Sequence, residues 1–252
     1  MTTTAEGWAA AVRSRLGLGR LLVLGEAADG IWLAERAADG VLRRAAAEVP
    51  GVRPGRLRIG LADPDAVSEP VLPAPPGSMP PGPLRIEAEF AAGPAAPAGT
   101  PLPALAGRLR TALFTASERW LGLAVTEVDL RVTALLDDVA PDSPGAVAPP
   151  GGGAPEERAP DPAGAPGGAP AGDPAAVAAA VPGVARLTTV LGPSVHRAAD
   201  HLRIELETAS DRRALDVARA VRTAVGGALP VTILVTGVRH AGARDAGMPG
   251  EG

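Results

Sequence analysis

Four short segments recur in one order along the chain. VPGV stands at Val49–Val52 and at Val181–Val184, LRIE at Leu84–Glu87 and Leu202–Glu205, RTA at Arg110–Ala112 and Arg222–Ala224, and a VT pair at Val132-Thr133 and Val235-Thr236. One such match is weak in a chain written in few letters. Four matches in the same order, each in the same expected kind of element, describe a duplicated unit. Each copy is expected to run helix–strand–strand–helix–strand. The fold class that follows is α+β, with two tandem small α/β sandwich domains.

The elements are read from periodicity and stop signals. In the first copy, Ile31–Val49 is Ala-, Leu- and Arg-rich and predicts a helix, stopped by Pro50-Gly51. Arg56–Leu61 predicts a short strand. In Leu84–Phe90, Leu84, Ile86, Ala88 and Phe90 alternate with Arg85, Glu87 and Glu89, the pattern of a half-buried strand. Leu105–Leu121 places Leu105, Leu109, Leu113, Ala116 and Trp120 on one side of a helix that Gly122 ends, and Val125–Leu135 is the closing strand. The second copy is shorter. It has a helix at Pro174–Val181 stopped by Pro182-Gly183, strands at Ala185–Leu191 and Leu202–Thr208, a helix at Arg213–Val225 and a strand at Val231–Val238.

Between the copies, Ala140 to Pro174 holds almost no large apolar residue, so it cannot bury enough surface to offset the entropy of ordering it. The expected organisation is an N-terminal extension (1–24), a first domain (25–139), a flexible Pro/Gly/Ala linker (140–172), a second domain (173–239) and a disordered tail (240–252). Two further Pro-rich stretches, Glu69–Pro83 and Ala91–Pro103, read as loops inserted in the first copy.

Composition narrows the function. All 24 basic residues are arginine, and Gly and Pro number 32 and 28, so arginine clusters carry little weight in a chain with this coding bias. Aromatics are 2% of the chain, so a core must come from aliphatic residues, and several modest cores are expected rather than one large one. A net charge of −4 argues against a nucleic-acid binder. With no cysteine, disulfides, thiolate metal sites and cysteine nucleophiles are excluded. MTTTAEGWAA lacks the charged-then-apolar pattern of a signal peptide, and the uncharged run Thr223–Val238 is broken by glycines and a proline. The expected location is cytoplasmic, with any membrane association through a partner.

The pattern resembles the alkaline shock protein 23 family, also called the envelope stress response family. The resemblance is carried by GIWLAERAADGVLRRAAAEVPGV (Gly30–Val52), an amphipathic helix closing on a V-x-G-V motif, and by the glycine and valine-rich strand of LGLAVTEVDLRVTAL (Leu121–Leu135). The second copy is similar to the shortened form of actinobacterial relatives. The resemblance implies a non-enzymatic cytoplasmic protein tied to cell-envelope stress. Such a protein acts by protein–protein interaction and self-assembly, in some members through a membrane-anchored partner.

No residue set reads as chemistry. The carboxylate pairs Glu87/Glu89 and Glu205/Glu207 could serve a hydrolase, but each shares a polar strand face with an arginine, Arg85 or Arg203. Those six residues are expected to form outward faces and are the candidate interaction surface. His196 and His201 lack a third ligand for zinc, and His240 stands apart. GLGRLLVLG (Gly17–Gly25) lacks the lysine and Ser/Thr of a phosphate loop and reads as a turn followed by a strand. None of Ser68, Ser78, Ser194 or Ser210 lies in a G-x-S-x-G elbow, and Asp137-Asp138 reads as the end of a strand. No catalytic residue, cofactor or metal is therefore expected. The alternative reading is an RNA-binding regulator using the arginines of Leu105–Leu121 and Arg212–Arg222. It lacks a GXXG loop between helices.

Overall fold

A computed structural model describes residues 17–75, 77–93, 100–136 and 172–240. Asp137-Asp138, nearly all of the expected linker and the tail beyond His240 lie outside the described residues. In chain order the first half forms β1 (Leu21–Val23), β2 (Ile31–Ala34), α1 (Glu35–Ala47), β3 (Val52–Leu61), β4 (Leu84–Ala92), α2 (Leu102–Ala116) and β5 (Val125–Leu135). The second half forms α3 (Pro174–Ala179), β6 (Val184–Leu187), β7 (Val195–Arg197), β8 (Leu202–Ala209), α4 (Ala214–Val225) and β9 (Val231–Arg239). The content is α+β.

The repeated motifs make the same bonds in both halves. Gly51 and Gly183 adopt φ of 84° and 99°, the left-handed conformation that ends a helix and turns the chain into a strand. Val52 N donates to Val49 O at 3.0 Å, and Val184 N to Val181 O at 3.1 Å. The glycine carbonyls then accept from Gly93 N and Ala209 N, both at 2.8 Å. LRIE begins β4 and β8, each paired antiparallel to the strand before it and parallel to the last strand of its half. Thr111 and Thr223 of the RTA segments both donate to the carbonyl four residues back. The VT threonines sit at register shifts of β5 and β9, and each hydroxyl donates to a carbonyl of the neighbouring strand, Phe90 O and Leu206 O, at 3.2 Å.

Three strands of the first half form one sheet in the order β3-β4-β5. The other sheet runs β1-β2-β9-β8-β6, with β7 also on β8, and so draws strands from both halves. Ile31, Trp32 and Leu33 of β2 pair in parallel with Ile233, Leu234 and Val235 of β9. This corrects the helix expected over Ile31–Val49. All four residues of β2 are buried, as in a strand covered on both faces, and the helix begins only at Glu35. The expected N-terminal extension is corrected as well, because Leu18, Leu21, Leu22 and Leu24 are buried core residues. Instead of several modest cores, the described residues share one continuous apolar cluster. It runs from Ile86 and Phe90 through Leu42 and Trp32 to Ile204 and Ile233.

The loop Glu69–Pro83 is part of this structure. Met79 N donates to Leu21 O at 2.8 Å, and Ser78 bridges to Leu21, so the loop covers the outer side of β1. α1 packs against β3, β9 and α2, and α2 packs against β5. Both helices therefore lie on the apolar side of the three-stranded sheet, and no helix or strand among the described residues covers its charged side. Among the described residues no helix is long and apolar enough to cross a membrane.

Candidate interaction face

The charged side of the three-stranded sheet is built by strand alternation. Leu84, Ile86, Ala88 and Phe90 of β4 turn inward and are buried, which turns Arg85, Glu87 and Glu89 outward. Register sets their neighbours: Arg58 and Asp129 flank Glu87, Glu127 lies beside Arg85, and Arg131 beside Glu89. Arg85 Nε donates to Glu127 Oε2 at 2.7 Å and lies 3.3 Å from Asp129 Oδ2. Its hydrogen bond to Glu127 holds the guanidinium above its ordinary pKa. Arg131 Nη1 lies 3.8 Å from Glu89 Oε1. Basic and acidic side chains are therefore interleaved across β3, β4 and β5, with Glu87 and Asp129 as one like-charged pair. These side chains line a shallow hollow of about 480 Å³ walled by Arg56, Arg58, Glu87, Glu89, Asp129 and Arg131.

The counterpart in the second half differs, and the outward face expected for Arg203, Glu205 and Glu207 is corrected. Glu205 is fully buried, and the side chains of Arg203 and Glu207 are only 14% and 15% exposed. The reason lies on the neighbouring edge. β3 runs the length of β4, with a register shift between Pro54 and Leu57, whereas β8 is flanked by two short strands, β6 and β7. The seven residues between them, Thr188–Ser194, arch over Glu205. Thr188 N donates to Glu205 O, Glu205 N to Ser194 O, and Leu191 N to the carboxylate at 3.0 Å. Arg203 Nη2 stands 3.2 Å from the other carboxylate oxygen. Burial pushes the Glu205 carboxyl above its usual range despite the Leu191 amide, the Arg203 charge and the Val190 amide. This carboxylate holds a loop in place. Glu207 is bound by Arg186 at 2.8 Å and approached by Arg239 at 3.7 Å.

The sheet edges differ in the same way. On β3, the Arg20–Glu35 ion pair occupies the edge: Glu35 Oε1 accepts from Ile59 N at 3.3 Å and Arg20 Nη2 donates to Ile59 O. Arg43 Nη1 donates to Gly55 O at 2.5 Å on the same edge. β5 has no strand on its far side among the described residues. Arg110 reaches it there, its Nε donating to Val128 O at 3.2 Å. Val132 and Leu135 of β5 are 40% and 66% exposed.

A second concavity, about 220 Å³, lies where the halves meet and is lined by Val41, Arg44, Glu48, Trp120, Ser210 and His240 among others. Trp120 stands on a π-helical turn, Ser117–Leu121, closed by Gly122 at φ 90°. The Arg119 guanidinium lies 5.1 Å from its ring centroid. Burial, with the nearby Arg44 charge, holds His240 below its usual pKa. The structure does not bring the three histidines together in one site. His196 lies on β7 opposite Arg203, and His201 immediately precedes β8 with its Nδ1 2.8 Å from Asp200. Sequence reasoning placed Arg85, Glu87 and Glu89 correctly on one face. It missed Arg58, Glu127, Asp129 and Arg131, which the alternation of β3 and β5 could have supplied once strand order was known.

The chain matches no family model, no curated protein and no solved structure.

Proposed function

We propose that this protein is a non-enzymatic interaction protein of the cell-envelope stress response. In this reading it carries two tandem copies of one helix–strand–strand–helix–strand unit joined by a linker. It works in the cytoplasm by self-association and by binding a membrane-anchored protein. The observation that carries the reading is the β4–β5 face. Its charged groups Glu87, Glu127, Asp129 and Arg131 stand exposed, with Arg85 half-buried among them, beside a strand edge that no other strand covers among the described residues, with exposed Val132 and Leu135. Free strand edges and charge-patterned faces are what protein partners bind. The sequence resemblance to the envelope stress response family, set out from Gly30–Val52 and Leu121–Leu135, supplies the cellular setting. The recurring glycine-closed helix ends at Gly51 and Gly183 support the duplicated unit.

The test is affinity capture of the full chain from cells under envelope stress, beside a Glu87→Arg variant that inverts one charge at the centre of the face. The expected result is that wild type retains a membrane-anchored protein and the variant retains much less. Equal retention by both, or retention of RNA that salt removes, would sink the reading, the latter in favour of an RNA-binding regulator.

A further inference from the structure

We infer that two copies of this chain pair edge to edge through β5, antiparallel, about a two-fold axis at Leu130. The inference rests on the interaction reading above and names one partner for that face.

Register carries it. Thr126 and Thr133 fall at the two register shifts of β5 against β4, so Glu127–Val132 is the regular segment between them. A two-fold axis perpendicular to the sheet keeps each face on its own side and sets residues of the same parity opposite one another. Centring on Leu130 sets Asp129 of one copy opposite Arg131 of the other, and Arg131 opposite Asp129. The same register sets Leu130 opposite Leu130 and Val128 opposite Val132. Within Val128–Val132 every opposed pair is then opposite in charge or aliphatic on both sides, and Glu127 falls opposite Thr133. Centring on Asp129 sets carboxylate against carboxylate, and centring on Arg131 sets guanidinium against guanidinium. Centring on Val128 opposes Glu127 to Asp129. Like charges directly opposite one another destabilise a strand pair. Of the registers centred on Val128, Asp129, Leu130 and Arg131, the one on Leu130 is thus free of opposed like charges.

The surroundings agree. The β3 edge of the same sheet is occupied by Arg20, Glu35 and Arg43, and the loop at Ser78 and Met79 covers β1. Arg110 takes one lone pair of the Val128 carbonyl, and a backbone carbonyl has a second for a new strand. Pairing would also cover part of Val132, which is 40% exposed. The contact is short, so the dimer forms as concentration rises.

Sedimentation velocity on the full chain over a concentration series tests this, with Asp129→Arg, Arg131→Asp, the double variant and an equimolar mixture of the two single variants. Both side chains are largely exposed, 63% and 80%, so the fold tolerates the exchanges. Wild type is expected to form a dimer. Each single variant, with like charges opposed twice per dimer, is expected to need at least about ten-fold higher concentration. The double variant and the mixture are expected to regain the wild-type behaviour, because both restore Arg opposite Asp. Single variants that dimerise like wild type, or a mixture that does not recover, would overturn the register. A wild type that stays monomeric with the 128–132 amides protected from hydrogen exchange would overturn the proposal in favour of the chain's own segment on this edge. Capture of a membrane-anchored protein by the monomeric variants separates the two claims. If it persists, the envelope reading stands whatever the fate of the dimer.

Discussion

Arg219 grips Asp29 through two guanidinium nitrogens, Nε at 3.0 Å from Oδ1 and Nη2 at 2.6 Å from Oδ2. The pair fastens α4 of the second half to the turn between β1 and β2 of the first. Arg222 adds bonds from Nη1 to the carbonyls of Ala28 and Asp29 at 3.0 and 2.7 Å. This turn positions β2 against β9, so the clasp lies beside the strand pairing that joins the halves. Because Arg219 is partly exposed, its replacement by Ala is expected to cost only about 1 kcal/mol, towards the upper end for surface ion pairs because the geometry is bidentate. Urea unfolding of Arg219→Ala, Asp29→Ala and the double variant would give the coupling between them. A coupling near zero would show that the clasp does not stabilise the junction.

Acid sensitivity follows from two carboxylates. Burial acts to raise Asp29 and Glu35, but it is outweighed. Asp29 is held low by Arg219, the Glu26 amide and Arg222, and Glu35 by the Arg20 side chain, the Arg20 amide and the Ile59 amide. Both folded values lie below the ordinary ones. Their contribution is therefore fully present above the ordinary carboxylate range, about 4, and is lost as pH falls through the depressed folded values. Thermal melts in an acid series should show Asp29→Asn losing less stability than wild type as pH falls. Parallel curves would contradict the assignment.

Glu205 has the opposite sign. Its folded value is raised, chiefly by burial. Its contribution is present below the ordinary glutamate value and falls as pH rises through the raised one. Glu205→Gln should therefore gain on wild type as pH rises from about 4 towards neutrality. Glu205→Ala removes the acceptor of Leu191 N and leaves Arg203 facing a cavity, at an expected cost of about 2–4 kcal/mol. Chemical unfolding at several pH values checks both, and a pH-independent difference for Glu205→Gln would refute the raised value.

Gly183 tests the shared helix stop. At φ 99° a side chain is strained, and a Cβ there would lie 2.6 Å from Val217 Cγ2. Gly183→Ala is expected to lower stability by about 1–3 kcal/mol, whereas Gly107→Ala, in the interior of α2 with open space around it, is expected to be neutral or to raise stability by up to about 1 kcal/mol. Equal melting temperatures for the two variants would refute it.

How much of this was legible depends on whether the signal was local. The glycine stops and the alternation of LRIE report on their own segments, so the order of elements from α1 to β5 could be read directly, and that from α3 to β9 except for the short β7, which was not expected as a strand. IWLA of β2 could not, because an apolar run joined to ERAADGVLRRAAA looks helical until the partner strand, far away at Val231–Arg239, is known. Glu205 and Glu87 occupy the same place in identical LRIE segments. Their opposite burial is decided by Thr188–Ser194, which covers one and has no counterpart over the other among the described residues. The candidate face was half legible. β4 displayed Arg85, Glu87 and Glu89 by period alone, but Arg58, Asp129 and Arg131 joined them only through strand pairing.

The claim that β5 is the working edge is tested most directly by single-cysteine cross-linking. The chain has no cysteine, so any disulfide must join two copies when one is introduced. In the register centred on Leu130, opposed Cα atoms at that position stand about 5.5 Å apart, within disulfide reach. Two copies of Val128 would lie about 13 Å apart along the strands. Under mild oxidation Leu130→Cys is predicted to form a disulfide dimer. Val128→Cys and Val132→Cys alone should form none, and a mixture of those two should cross-link. Dimers from Val128→Cys alone, or none from Leu130→Cys at concentrations where wild type sediments as a dimer, would contradict it.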